Sequence, residues 1–154
     1  MTIRNVLRGK GSYVATIPPT ATLAQLVDAL AEHRIGAMIV STDGAHIEGI
    51  VSERDLVRAF RSEGGLPSFM ESHLIRLDHV TVAEIMTSEV TTCTPQTSLD
   101  EVMGVMTSSR IRHVPVLEEG ALVGIVSIGD IVKARISDLE VERSALVDYV
   151  TTGR

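Results

Sequence analysis

Gly49-Ile50-Val51-Ser52-Glu53-Arg54-Asp55 recurs later in the chain as Gly124-Ile125-Val126-Ser127-Ile128-Gly129-Asp130. The flanking residues repeat with it. Working back from the phrase, Val40 pairs with Val116, Arg34-Ile35 with Arg110-Ile111, Leu23 with Leu99, Pro19 with Pro95, Thr16 with Thr92 and Val14 with Val90. The register slips by one residue at Ala45, inside a turn, and downstream Val57 meets Val132 and Ala59 meets Ala134. So many identities with one gap point to an internal duplication, not to shared composition.

Each copy reads as short strand, helix, strand, turn, strand, helix. In the first, Val14 to Ile17 is a strand stopped by Pro18-Pro19, and Leu23, Leu26, Val27 and Leu30 then fall on one helical face. Leu99, Val102, Met103 and Met106 repeat those phases, with Thr22 and Ser98 as N-caps. Ala37 to Ser41 and Ile47 to Val51 flank Thr42-Asp43-Gly44, as His113 to Leu117 and Leu122 to Val126 flank Glu118-Glu119-Gly120, so both pairs are expected hairpins. The organisation is then a lead-in at 1–13, a first repeat at 14–60, a linker with short helical pieces at 61–89, a second repeat at 90–136, and a carboxy-terminal helix extension at 137–154.

With 154 residues, each half would bury little core by itself, so one two-repeat body is expected. Hydrophobic residues make up 44% of the chain and aromatics 3%, so that core must be aliphatic, which suits layered α/β packing. A net charge of -6 argues against a nucleic-acid partner, whose phosphates call for Lys and Arg. The single Cys93 excludes an internal disulfide, and its repeat partner Ile17 marks it as a structural thiol. Without an apolar run near the roughly 20 residues of a membrane span, or a signal-peptide pattern, the expectation is a cytoplasmic protein with no membrane partner.

The Ser-x-x-Asp phrase has two compatible readings. As a capping box, Ser52 or Ser127 accepts from first-turn N–H groups while the acid sits at the positive helix end. As a binding element, the same helix start favours an anion, and the carboxylate can take two hydrogen bonds from vicinal hydroxyls such as those of a ribose. The five histidines are scattered with no metal-ligand spacing, and neither a phosphate loop nor a nucleophile–base pair is present, which disfavours an enzyme.

Arg110-Ile111-Arg112-His113-Val114-Pro115-Val116 followed by Gly124 to Asp130, with Ile35 to Val40 and Gly49 to Asp55 in the first copy, resembles a tandem pair of CBS domains, a Bateman module. The resemblance covers residues 14 to 60 and 90 to 136. It implies two βαββα units packed about a pseudo-twofold axis, with clefts for AMP, ADP, ATP, S-adenosylmethionine or NAD. It places Asp130 on ribose hydroxyls, Ser127, Ile128 and Gly129 on the phosphate side, and Thr92, Arg112, His113, Val114 and Pro115 around the adenine. Asp55, Ser52, Thr16, Gly36 and Ala37 would serve the first copy. Where the second copy has Ile128-Gly129 the first has Glu53-Arg54, so the two sites are not expected to match. Arg54 either clamps a phosphate or pairs with Glu53 or Asp55. Lys10 either covers a nucleotide or faces solvent. The resemblance also implies a homodimer and a regulated protein partner, and the alternative is a structural dimerisation partner that senses no ligand. Val132, Ile136, Leu139, Arg143, Leu146 and Val150 form a heptad-like stripe that either packs on its own domain or docks a second subunit.

Overall fold

The computed structural model describes residues 1–61 and 77–152, and the stretch Gly64-Gly65-Leu66-Pro67 of the expected linker lies outside them. The chain forms two compact units. One holds residues 13–91 with 119–122, the other residues 1–12, 92–118 and 123–154.

In the unit built on the first copy, β1 (Thr16–Ile17) runs parallel to β2 (Ala37–Val40), which pairs antiparallel with β3 (Gly49–Ser52). Between β1 and β2 lies α2 (Leu23–His33), and α3 (Glu53–Arg61) follows β3. Thr22 caps α2, its hydroxyl accepting from Gln25 N–H at 3.2 Å while its own N–H donates to the Gln25 side chain at 2.9 Å. Leu23, Leu26 and Leu30 go into the core, but Val27 on the edge of the expected stripe stays 42% exposed. All four residues of β2 are buried, and Met38 and Val40 join Ile17, Val51 and Leu56 in this core.

The hairpin turn is longer than the sequence pattern suggests, and Asp43 is the reason. Its Oδ1 accepts from the N–H groups of Ala45 and His46, both at 2.8 Å, and its Oδ2 meets His46 Nδ1 at 2.5 Å. This side-chain-to-backbone turn postpones the strand to Gly49. It also satisfies the buried Ser41, whose hydroxyl bonds Asp43 and accepts from Gly44 N–H. The His46 backbone N–H, its ring and Ala45 N–H hold the Asp43 carboxyl well below the usual range, and Asp43 in turn raises His46.

The second copy has a tighter hairpin, β4 (His113–Glu118) and β5 (Ala121–Ser127), turned by Glu119 and Gly120 at φ 52° and 82°. Two successive positive φ values define the turn whose twist matches paired strands. The expected strand near Val90 shrinks to one parallel bridge from Cys93 to Val116. There Cys93 N–H donates to Pro115 and Leu117 N–H donates back to Cys93, and burial pushes the thiol up to about 11. Helix α5 (Leu99–Ser108), capped by Ser98, buries Leu99, Val102 and Met106.

Two further helices complete these cores in a matching way. Helix α1 (Ile3–Lys10) belongs to the second-copy unit, where Ile3 is fully buried. Its Ile3 N–H donates to Thr97 and its Arg4 N–H to Pro95. Helix α4 (Val82–Ile85) does the same in the first-copy unit: Val82 is fully buried, Val82 N–H donates to Ala21 and Ala83 N–H to Pro19. Pro19 and Pro95 are repeat equivalents, as are Thr22 and Ser98, which bridge Thr81 and Thr2 respectively. Each core is therefore closed by the segment that precedes the other repeat in sequence.

Helix α6 (Ile128–Thr152) contributes Ile131 to the second core and then runs on exposed. Ile136, Leu139, Leu146 and Val150 are 53%, 49%, 65% and 79% exposed, so the stripe is not covered by its own unit. Among the described residues no helix is long and apolar enough to cross a membrane.

Candidate functional site

Strand β5 ends at Ser127 and α6 begins at the next residue, which puts Asp130 in the helix's first turn. Asp130 Oδ2 accepts from Ser127 N–H at 2.7 Å and the Ser127 hydroxyl at 2.8 Å, while Asp130 N–H returns a bond to Ser127 Oγ at 3.2 Å. The capping arrangement is therefore present in full. A third donor arrives from α1: Lys10 Nζ lies 2.6 Å from the same Oδ2 and 3.1 Å from the carbonyl of Ile125. Among the described residues nothing donates to Oδ1, and the Asp130 side chain is 25% exposed.

Partial burial pushes the Asp130 carboxyl upward, but Lys10 and the two Ser127 donors outweigh it and leave the group below its ordinary value. Because the folded carboxyl titrates below the unfolded one, its contribution to stability is full above about pH 4 and is lost as pH falls through the folded value. Wild type should therefore exceed Asp130→Asn in melting temperature at pH 6, with the gap narrowing by pH 3. Thermal scans at the two pH values check the sign, and a gap that widens in acid contradicts it.

The second copy brings most of its expected residues into one neighbourhood. Ile128 N–H donates to the Arg112 carbonyl at 2.9 Å, so the start of β4 sits against the start of α6, next to His113, Ser127, Gly129 and Asp130. Thr92 is exposed beside Cys93, which bonds Pro115. Val114 turns into the core at 1% exposure and Pro115 is also buried, so these two present little side-chain surface.

In the first copy Glu53 N–H donates to the Gly36 carbonyl at 3.0 Å, the same tie in the same place. Asp55 Oδ2 likewise accepts from Ser52 N–H and hydroxyl at 2.8 and 2.9 Å. The difference is the cation: Asp55 Oδ1 faces Arg58 at 4.0 Å, and its side chain is only 14% exposed. Arg54 is exposed on α3, Thr16 is half-buried in β1 and Ala37 is buried in β2. Gly36 lines a cavity of about 480 Å³ between α2 and α3, with Leu30, Arg34, Glu53 and Leu56 on its walls.

Lys10 is placed on Asp130 and on the Ile125 carbonyl, and no pattern in the sequence assigns it to either. A lysine outside the repeated block gives no sequence signal for which copy it serves.

A family model described as the CBS domain matches residues 11–62 and 82–137. The chain belongs to the CBS-domain family. CBS-domain proteins are generally regulatory rather than catalytic. The chain is 31% identical over 160 residues to the mitochondrial CBS domain-containing protein CBSX3 of Arabidopsis thaliana, covering 99% of this chain and 73% of that one. A solved CBS-domain protein of Agrobacterium tumefaciens superposes with a TM-score of 0.77 at 38% identity, over 88% of this chain and 99% of the other. A further relative in structure, Hypoxic Response Protein I with two coordinated zinc ions, gives a TM-score of 0.66 at 26% identity, over 87% and 98% of the two chains. Among the described residues of this chain no group of three or more His, Cys, Asp and Glu is placed to hold a metal.

Proposed function

We propose that this CBS-domain protein is a regulatory module that senses an adenine nucleotide, with AMP, ADP, ATP or NAD held at Asp130. The observation that carries the reading is the carboxylate itself. Oδ2 is fixed by the Ser127 N–H and hydroxyl, so the side chain is oriented at no further entropic cost while Oδ1 remains to accept. A ribose diol presents the two hydroxyl donors that such a group takes, and the N-terminal end of α6 beside it favours a phosphate. Arg112 and His113 are close enough through the Arg112–Ile128 bond to border the base. Asp55, with Ser52, Gly36 and Arg54, would form a second and unequal site. The module acts on a protein partner, and the ligand shifts that partner only through its differential affinity for two arrangements of the chain. The exposed aliphatic stripe on α6 supports a homodimer as the acting species.

Titration calorimetry with AMP, ATP and NAD on wild type and Asp130→Ala tests the reading. Binding by wild type to at least one of the three, weakened about tenfold or more in the variant, is the expected result for loss of charge-assisted bonds. Absence of heat with all three nucleotides rejects it, and leaves the structural dimerisation role. Light scattering on the same samples should give the mass of two chains, and a monomer mass removes the homodimer.

A further inference from the structure

We infer that Lys10 is a latch on this site, which it releases only to a phosphorylated ligand; the inference rests on the nucleotide reading of Asp130. As found, the Lys10 ammonium occupies Asp130 Oδ2 at 2.6 Å and the Ile125 carbonyl at 3.1 Å. It thus competes for the carboxylate that a ribose diol would use. A nucleoside has no anion to offer the displaced ammonium. A nucleotide does, because its phosphate lies one sugar away from the diol, within the sweep of the four-carbon lysine stem. Lys10 exchanges one anion for another, and the cost of opening the latch is returned only when the phosphate is present.

The local backbone suits a pivot. Helix α1 is anchored at its start, where Ile3 is fully buried and the Ile3 and Arg4 N–H groups bond Thr97 and Pro95. At its end Lys10 stands between two glycines. Gly9 weakens the last turn and has open space around it, and Gly11 takes φ +90°, a conformation that side chains resist. Lys10 can be re-aimed there without disturbing the buried half of the helix.

The first copy isolates the feature. Helix α4, the counterpart of α1, has four residues against eight and ends before any position like Lys10. Asp55 has the same two serine donors as Asp130 but, among the described residues, its nearby cation is Arg58 at 4.0 Å on the opposite oxygen. The extra helical turn in front of the first repeat is what delivers a lysine to the second copy's aspartate.

The test compares adenosine with AMP by calorimetry on the full chain, for wild type, Lys10→Met and Lys10→Arg. An exposed ion pair is worth up to about a fivefold effect, so adenosine should tighten roughly threefold in Lys10→Met. AMP should lose its charge-assisted contact in that variant, so that the preference for AMP over adenosine falls about tenfold, while Lys10→Arg keeps it. A lysine that only steadies Asp130 would shift both ligands by the same factor, and an unchanged AMP-to-adenosine ratio in Lys10→Met overturns the latch. If wild type binds neither ligand, the nucleotide reading fails and the latch fails with it.

Discussion

Replacing Ile3 by alanine should lower unfolding stability by about 2–4 kcal/mol, although the residue lies outside the repeated block. Ile3 has no exposed surface and packs with Leu99, Val102, Val114 and Val126 in the second core. Truncation removes three carbon atoms from a site that cannot easily collapse, because α1 is pinned through the backbone bonds of Ile3 and Arg4. Arg8→Ala, on the exposed face of the same helix, should fall within about 0.5 kcal/mol of wild type. Urea melts of the two variants decide the matter. Equal costs would mean that α1 adds nothing to the core.

The second large effect separates two equivalent glycines. A Cβ on Gly49 would lie 2.6 Å from Met86 Sδ and 2.9 Å from the Thr87 carbonyl oxygen. A Cβ on Gly124 would lie 2.6 Å from Leu7 Cδ2, with only Leu7 side-chain atoms nearby. Side-chain ends can rotate, but the Thr87 carbonyl is tied to β3 by its bond from Ile50 N–H, with Thr87 N–H bonded back to Ile50. Gly49→Ala should therefore cost about 2 kcal/mol and Gly124→Ala about half of that, within the range for overpacked interiors. Thermal denaturation of the two single variants gives the order, and the reverse order would show that Leu7 is the more rigid neighbour.

Much of this fold was legible in the sequence because its elements carry local signals. Thr22 and Ser98 announce their helices by the hydroxyl three residues ahead of Gln25 and Glu101, and both caps form as expected. The serine–aspartate turns were equally readable, since their partners are only three residues apart. What failed was either long-range or a matter of competing turn chemistry. The delay of β3 to Gly49 follows from Asp43 capturing two backbone N–H groups, which no hydrophobic pattern records. Val27 obeys the helical period, yet its phase at the edge of the stripe leaves it outside the core. The loss of the second copy's first strand to a single bridge at Cys93 is likewise invisible in a stretch whose residues match β1 so closely. For the site, the sequence named Lys10 and Asp130 separately, and only the docking of α1 joins residues 120 positions apart.

The crossed placement of α1 and α4 bears on where one structural copy begins and ends. The matched family segments start at residues 11 and 82, so the first omits all of α1. A fragment cut at that boundary would retain both hairpins and both Ser-x-x-Asp turns, yet expose Leu99 and Val102 and strip Lys10 from Asp130. Neither half of the chain carries its own lid, since each borrows the strip encoded ahead of its twin. That is the connectivity domain swapping gives when two like units trade arms, here within one chain.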